Sequence, residues 1–150
     1  MTAASPPPGD FSDRCVGCGG WLDETRATGR PQPEDHLPGC KVFCIAVQVM
    51  RYAGELEQAA SAATDQGKSD KERRRYLKRC SESLSAAARD ADPVRALDRL
   101  ATGYEAESKK STKHAEIAEL MSQACLTLVR GEDPGPIPPA PELRTRRCLR

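Results

Sequence analysis

Residues 15–20, Cys15-Val16-Gly17-Cys18-Gly19-Gly20, and residues 36–44, His36-Leu37-Pro38-Gly39-Cys40-Lys41-Val42-Phe43-Cys44, contain four of the seven cysteines and one of the two histidines of the chain. The first segment suits a tight turn that points two sulfurs at one ion. Its glycines permit positive φ and let backbone N–H groups approach the thiolates. A tetrahedral Zn²⁺ needs four ligands, and the second segment offers three candidates. The sequence therefore predicts a metal centre that joins the two segments.

The fourth ligand of this centre can be assigned in two ways. If Pro38 is the first residue of a helix, the two cysteines of the second segment lie one turn apart on the same side. The predicted ligands on this basis are Cys15, Cys18, Cys40 and Cys44, with His36 as the alternative fourth. Ordinary thiols without a metal are the competing interpretation. With up to five protein donors close together, we expect a closed, structural Zn²⁺ site rather than a catalytic one.

The spacing of the second segment is similar to that of two zinc-binding families. A Cys-x2-Cys followed by His36-x3-Cys40 resembles one class of ubiquitin-binding zinc finger, and the run from His36 to Cys44 resembles the zinc-containing anti-sigma factors. The gap between Cys18 and His36 is longer than in the first family, and Pro38 interrupts its helix. The spacing Cys40-x3-Cys44 is one residue longer than in the second, which lacks the upstream pair. The resemblance covers a small part of the chain and assigns it to neither family.

Beyond the second segment, apolar residues recur at the spacing of an α-helix. A capping box of Ser69 and Glu72 marks one helix start, and Asp92 with Pro93 marks another. We predict three long helices and one short one, at residues 39–63, 69–90, 93–103 and a last helix that begins between 104 and 112 and ends at 130. The fold class is therefore all-α, a small helical bundle.

The domain organisation follows from these helices and from the proline content of the two ends. Residues 1–13 are predicted to be disordered, 14–44 to form a zinc-binding module, 39–131 to form the bundle, and 132–150 to form a proline-rich basic tail. The interior of the module, residues 23–35, is expected to lack regular structure. The first long helix carries a second set of apolar residues, among them Phe43 and Val47. We explain this set by packing against the loop of the zinc-binding module.

Composition limits the classes of protein to consider. The net charge of +1 produces no overall basic field that would attract nucleic acid. The longest apolar run, Val42 to Met50, is about half of the ~20 residues that a membrane span needs, so no membrane association is expected. An odd number of cysteines, seven, argues against a disulfide-stabilised secreted protein. The N-terminus also lacks a signal peptide. We therefore expect an intracellular, reducing location.

The densest charge cluster is the segment Lys68 to Arg79. Its basic helix face consists of Lys71, Arg74, Arg75, Lys78 and Arg79. A nucleic-acid contact, a nuclear localisation patch and a site for an acidic partner are the functional interpretations. A solvated helix face is the alternative, because Glu72 and Glu82 interleave with the cations. Tyr76 is the one aromatic residue in the cluster, so base stacking is poorly supported.

The sequence contains no recognisable set of nucleophile, base and orienting residue, so we do not expect an enzyme. His114 is predicted to be a boundary residue of the last helix. The main hypothesis is an adaptor or regulatory protein that binds another protein through the bundle or the tail. Self-association through a seam from Leu77 to Ala91 would give a homodimer. The alternatives are a nucleic-acid-binding protein that uses the Lys71–Arg79 face, and a redox sensor in which thiols release zinc.

Overall fold

The computed structural model describes residues 13–62, 68–110 and 113–137. Within these ranges the regular elements are helices, and the predicted all-α class is confirmed. The helices are α1 (Asp23–Thr28), α2 (Lys41–Ala62), α3 (Lys68–Ala88), α4 (Pro93–Lys109) and α5 (Ala115–Val129), with a short 3₁₀ helix at Pro33–Asp35. Residues 1–12 and 138–150, which contain most of the predicted disordered segment and of the predicted tail, lie outside the described residues.

Helices α2 to α5 form the bundle, with α2 packed mainly on α3 and α4 mainly on α5. The largest fully buried side chains come from all four helices, namely Val49, Leu56, Cys80, Leu84, Leu97, Met121, Cys125 and Leu128. Two buried serines form hydrogen bonds between neighbouring helices. The hydroxyl of Ser81 donates to the carbonyl of Ala53 at 2.8 Å, and that of Ser122 donates to Ala101 at 3.0 Å. Each bond satisfies a polar group that would otherwise be costly to bury.

The seam from Leu77 to Ala91 lies inside this single-chain bundle except at its last residue, Ala91. Leu77, Cys80, Leu84 and Ala87 are all buried against the other helices, while Ala91 is half-buried beside the metal module. These side chains therefore contribute to the core of one molecule.

Two helix boundaries and one loop assignment differ from the predictions. The short helix predicted to end near Gly103 continues to Lys109 as α4, because Tyr104 packs on the core and Glu107 accepts a hydrogen bond from the hydroxyl of Tyr76 at 3.1 Å. The last helix begins later than predicted, at Ala115. The expectation of irregular structure throughout residues 23–35 is wrong, since α1 and the 3₁₀ helix lie there.

The segment after α5 returns across the bundle. Gly131 has a φ of 76°, which turns the chain at the end of the helix. Asp133 forms an ion pair with Arg51 of α2 at 2.9 Å, and Ile137 packs against the main core. The described part of the predicted tail, residues 132–137, is thus held on the bundle without helical structure. In the part of the chain that the structure describes, no helix is both long and apolar enough to cross a bilayer.

Candidate metal centre

The first ligand segment is a tight hairpin. An isolated antiparallel bridge pairs Arg14 with Trp21. Inside it, the N–H of Cys15 donates to the carbonyl of Gly20, and the N–H of Gly19 donates back to Cys15, both at 2.8 Å. Gly19 has a φ of 76°, a conformation that side chains disfavour. The hairpin bends the chain so that the sulfurs of its two cysteines reach the same group of donor atoms.

The second ligand segment approaches through a β-turn. The N–H of Cys40 donates to the carbonyl of Leu37 at 3.2 Å, which places Pro38 and Gly39 at the two central positions. Gly39 has a φ of 79°. Proline followed by a glycine with positive φ is the usual composition of a type II turn. The turn reverses the chain between His36 and Cys40, so that both side chains can reach the hairpin.

Four side chains from these segments meet at one point. The donor atoms of Cys15, Cys18, His36 and Cys40 all lie within 4.8 Å of one another. The sulfurs of Cys15 and Cys40 are 3.7 Å apart, and the sulfur of Cys18 lies 3.6 Å from Nδ1 of His36. Around a tetrahedral ion with Zn–S bonds of about 2.3 Å, two sulfurs would lie about 3.8 Å apart, and a sulfur and an imidazole nitrogen about 3.5 Å apart. These two distances match those of a tetrahedral site, and the four residues together could hold one metal ion.

The structure places the two proposed fourth ligands differently. His36, the alternative in the sequence prediction, belongs to the cluster. Cys44 lies on α2, is exposed, and is not part of it. The prediction favoured Cys44 because it assumed a helix from Pro38 onward, whereas α2 begins at Lys41. The Pro38-Gly39 pair was the sequence signal for a turn that could have favoured His36.

Backbone N–H groups stabilise charge on the sulfurs. The N–H of Gly17 donates to the sulfur of Cys15 at 3.3 Å, and that of Leu37 donates to Cys18 at 3.4 Å. Burial raises the pKa of Cys15 to about 11. Burial also acts to raise the pKa of Cys18, but the amides of Leu37 and Gly20 and the His36 side chain together outweigh it and lower that pKa to about 6. Such donors also stabilise a thiolate bound to a metal.

Two glycines let the ligand segments approach closely. A Cβ atom on Gly20 would lie 1.9 Å from the carbonyl oxygen of Asp35, the residue before His36. A Cβ atom on Gly17 would lie 2.5 Å from the side chain of Val42 and 3.4 Å from the sulfur of Cys40. Both positions therefore require glycine for the segments to pack as they do.

Asp35, which is not among the predicted site residues, supports the segment that carries His36. Its side chain is buried, with a relative exposure of 5%. It accepts the backbone N–H groups of Glu24 at 3.3 Å and Thr25 at 2.7 Å, together with the Thr25 hydroxyl. Asp35 thus caps the first turn of α1 from some ten residues further along the chain.

The module has a small core of its own beside the bundle. Its buried members are Cys15, Leu22 and Cys40, and the partly buried residues packed on them are Cys18, Val42, Phe43 and Ala91. The N–H of Val16 also donates to the carbonyl of Ala91 at 3.2 Å, and the rings of His36 and Phe43 lie 4.9 Å apart. The expected packing of the second apolar set of α2 on the metal loop is found for Phe43, whereas Val47 is exposed.

The predicted basic face lies on α3, and none of its residues belongs to the group formed by Cys15, Cys18, His36 and Cys40. Lys71, Arg75, Lys78 and Arg79 are exposed, and Arg74 is half-buried.

No protein-family model, no curated protein and no solved structure matches the chain. What the centre can do therefore follows from its own donors and surroundings.

Proposed function

We propose that the cluster binds a structural Zn²⁺ and that the protein is a non-enzymatic adaptor or regulator acting through contacts with another protein. The observation that carries the proposal is the meeting of three thiols and one imidazole within 4.8 Å. Sulfur and imidazole donors in tetrahedral arrangement favour Zn²⁺ among common divalent ions. Four protein donors also complete the tetrahedral shell. A substrate or an activated water would have no position on the metal.

The small size of the module supports a structural role for the ion. Only Cys15, Leu22 and Cys40 are buried hydrophobic members of the module core, and two of these are proposed ligands. So little apolar surface cannot offset the conformational entropy of ordering residues 13–40. Structural Zn²⁺ sites contribute roughly 10–16 kcal/mol of apparent binding free energy. A bound ion would therefore hold the module against α2 and the turn between α3 and α4.

The surroundings of the centre support an interaction role. Val16 and Leu37, which lie beside the ligands of the two segments, are 57% and 62% exposed. Val47 on the nearby part of α2 is 44% exposed. Exposed apolar side chains that are held rigidly are favourable contacts for a protein partner. Zinc would then act on function indirectly, by fixing the segments that carry these side chains.

Metal analysis tests the ligand set. We expect purified protein to contain one Zn²⁺ per chain by elemental analysis and by native mass spectrometry. His36→Ala and Cys40→Ser should lose most of the metal, whereas Cys44→Ser, the matched control with an exposed thiol, should retain it. Purified protein that contains no metal, or a Cys44→Ser variant that loses it, would contradict the proposed centre.

Cobalt substitution separates a structural centre from a catalytic one. A tetrahedral Co²⁺ complex with three thiolates and one imidazole should show strong visible absorption bands. In a closed site, added azide or cyanide has no position to occupy, so the spectrum should not change at concentrations that leave the metal bound. A shifted spectrum with retained cobalt would reveal an open position and would argue for catalysis instead.

Quantitative affinity capture tests the interaction role. Extracts of cells that normally make the protein are passed over wild type, Leu37→Ser and Leu126→Ser. Leu126 is the matched control, because it is 45% exposed but lies on α5. We expect at least one protein to bind wild type and Leu126→Ser and to be depleted on Leu37→Ser. Identical capture by all three would contradict a role for the surface beside the metal.

A further inference from the structure

A groove of about 550 Å³ runs between α3 and the start of α5, and none of the four proposed metal ligands lines it. It is lined by Glu72, Arg75, Lys78, Arg79, Glu82, Lys113 and His114. We propose that this groove binds an acidic segment of a partner protein. The inference rests on the proposed function, since it assumes that the partner is a protein, and it identifies the chemistry of one surface that would meet it.

The cations of the groove are incompletely neutralised within the molecule. Lys113 pairs with Glu72. Among the residues that the structure describes, the side chains of Arg75 and Lys78 form no ion pair or hydrogen bond. Arg79 lies over the ring of Tyr76, with 5.6 Å between its guanidinium carbon and the ring centroid. Like charges three and four residues apart on a helix repel, so added carboxylates would relieve this repulsion as well as bind.

The wall of the groove is fixed by an aromatic stack. The His114 ring lies 4.5 Å from the Tyr76 ring at an interplanar angle of 12°. The Tyr76 hydroxyl donates to Glu107 of α4 at 3.1 Å, which ties the stack to a third helix. A groove with rigid walls loses little conformational entropy when a ligand binds.

The same stack argues against a nucleic acid as the ligand. Tyr76 is 6% exposed, so its ring is not available to stack on a base. Glu72 and Glu82 also bracket the cations, about 15 Å apart along the helix axis at 1.5 Å per residue. A phosphate backbone would run its continuous negative charge past both carboxylates. A peptide can place two or three carboxylates between them and neutral or basic residues beyond. The charge order of the groove therefore fits a short acidic segment.

Fluorescence anisotropy with defined probes tests the proposal. The acidic probe is a labelled 12-residue peptide with four central glutamates and a lysine at each end, and its control has glutamine in place of glutamate. A 12-nucleotide single strand and a 12-base-pair duplex represent nucleic acid. With zinc-loaded full-length protein, we expect the acidic peptide to bind more tightly than the other probes, with an affinity that falls as salt is raised.

Matched charge reversals identify the site. The double variant Arg75→Glu/Lys78→Glu should weaken acidic-peptide binding at least tenfold and should bind a peptide with lysines in place of the glutamates. Arg95→Glu/Arg99→Glu changes the net charge equally on exposed positions of α4 and should bind the acidic peptide as wild type does. Equal loss in both double variants, or no binding of the acidic peptide by wild type at 1 mM protein (roughly the weakest affinity of interest), would overturn the proposal.

Two further readouts separate the alternatives. Tighter binding of either nucleic-acid probe, with loss in the Arg75→Glu/Lys78→Glu variant, would make the groove a nucleic-acid site and would overturn the acidic-segment proposal. Zinc content is measured on every variant. The groove variants should retain one ion per chain, because their side chains are not among the ligands. Loss of peptide binding in a variant that keeps its zinc therefore shows that the groove is the binding site. Wild-type protein that contains no zinc would instead contradict the proposed function.

Discussion

At the scale of single residues, Gly20 occupies the point where the hairpin crosses the backbone that leads to His36. A Cβ atom there would lie 1.9 Å from a backbone oxygen, which cannot move as a flexible side chain would. We expect Gly20→Ala to destabilise the protein by about 1–3 kcal/mol, the usual effect of overpacking, and to weaken zinc binding. Chemical unfolding and competition with a chelator measure the two effects.

Gly103→Ala is the control for Gly20→Ala. Gly103 is exposed within α4, and a Cβ atom there would have nothing within 4 Å. Alanine is a better helix former than glycine, so this change should stabilise the protein by up to about 1 kcal/mol and leave zinc binding unchanged. If the two alanine variants unfolded at the same denaturant concentration, the close crossing at Gly20 would be refuted.

His114 gives the protein a specific dependence on pH. Burial, followed by the nearby charges of Lys113 and Arg79, lowers the pKa of this histidine from its ordinary value of 6.5. The unfolded chain therefore binds the proton more readily, and stability should fall as the pH is lowered through 6.5. His114→Phe preserves a ring against Tyr76 and removes the titration. We expect the loss of stability between pH 8 and pH 5.5 (about one unit or more on either side of the ordinary histidine pKa) to be smaller in this variant.

The comparison with wild type isolates the contribution of His114. Both proteins would lose the proposed zinc at low pH in the same way, because the proposed ligands are unchanged. Urea midpoints at the two pH values, measured for both proteins, give the difference directly. An identical pH dependence in the two proteins would show that His114 does not couple folding to protonation.

At the scale of elements, α1 depends on a contact from outside itself. Asp35 accepts two backbone N–H groups and a hydroxyl from the first turn of this helix. Asp35→Ala would leave the N–H of Thr25 buried without a partner, at a cost of about 1–3 kcal/mol. Glu34→Ala, at an exposed neighbouring position, is the matched control and should change stability by less than about 0.5 kcal/mol. Thermal unfolding of the two variants in the presence of zinc checks this.

Dependence on contacts from outside the element also explains which helices could be predicted from the sequence. Helices α2, α3 and α5 were recognised because their apolar positions keep a 3.6-residue period over several turns. Helix α1 has six residues, too few to show that period, and its cap is distant in sequence. Helix α4 continues past Gly103 because Tyr104 and Glu107 make tertiary contacts that outweigh the low helix propensity of glycine. Such contacts are not visible in the local sequence.

The candidate site was predictable to a similar degree. The spacing of cysteines identified Cys15, Cys18 and Cys40, which the structure brings together. The choice between His36 and Cys44 depended on whether the chain turns or continues as a helix at Gly39, and the φ of 79° there decides for a turn. The groove between α3 and α5 could not be inferred, because Lys113 and His114 reach it only through the packing of α5 on the bundle.

At the scale of the whole molecule, the metal module and the bundle have separate cores. The bundle core includes residues of α2 to α5 and contains none of the four proposed ligands. The module core contains Cys15 and Cys40 and touches the bundle through Val42 and Ala91. A domain that buries its own apolar surface can remain folded when a neighbouring unit is lost. The stability of the two units should therefore respond differently to removal of the metal.

Chelation of zinc tests this separation, with hydrogen exchange measured by mass spectrometry as the readout. We expect peptides from residues 13–40 to lose protection, because the module core is too small to keep them ordered without the ion. Peptides from α2 to α5 should remain protected, and the far-ultraviolet circular dichroism should decrease only slightly, since α1 has six residues. The melting temperature should nevertheless fall, because the hydrogen bond from the N–H of Val16 to Ala91 and the packing of Ala91 on the cluster that contains Leu22 would be lost. Cys44→Ser should respond to the chelator as wild type does. Loss of protection throughout α2 to α5 would show a single cooperative unit, and unchanged protection in residues 13–40 would show that the module does not need the ion.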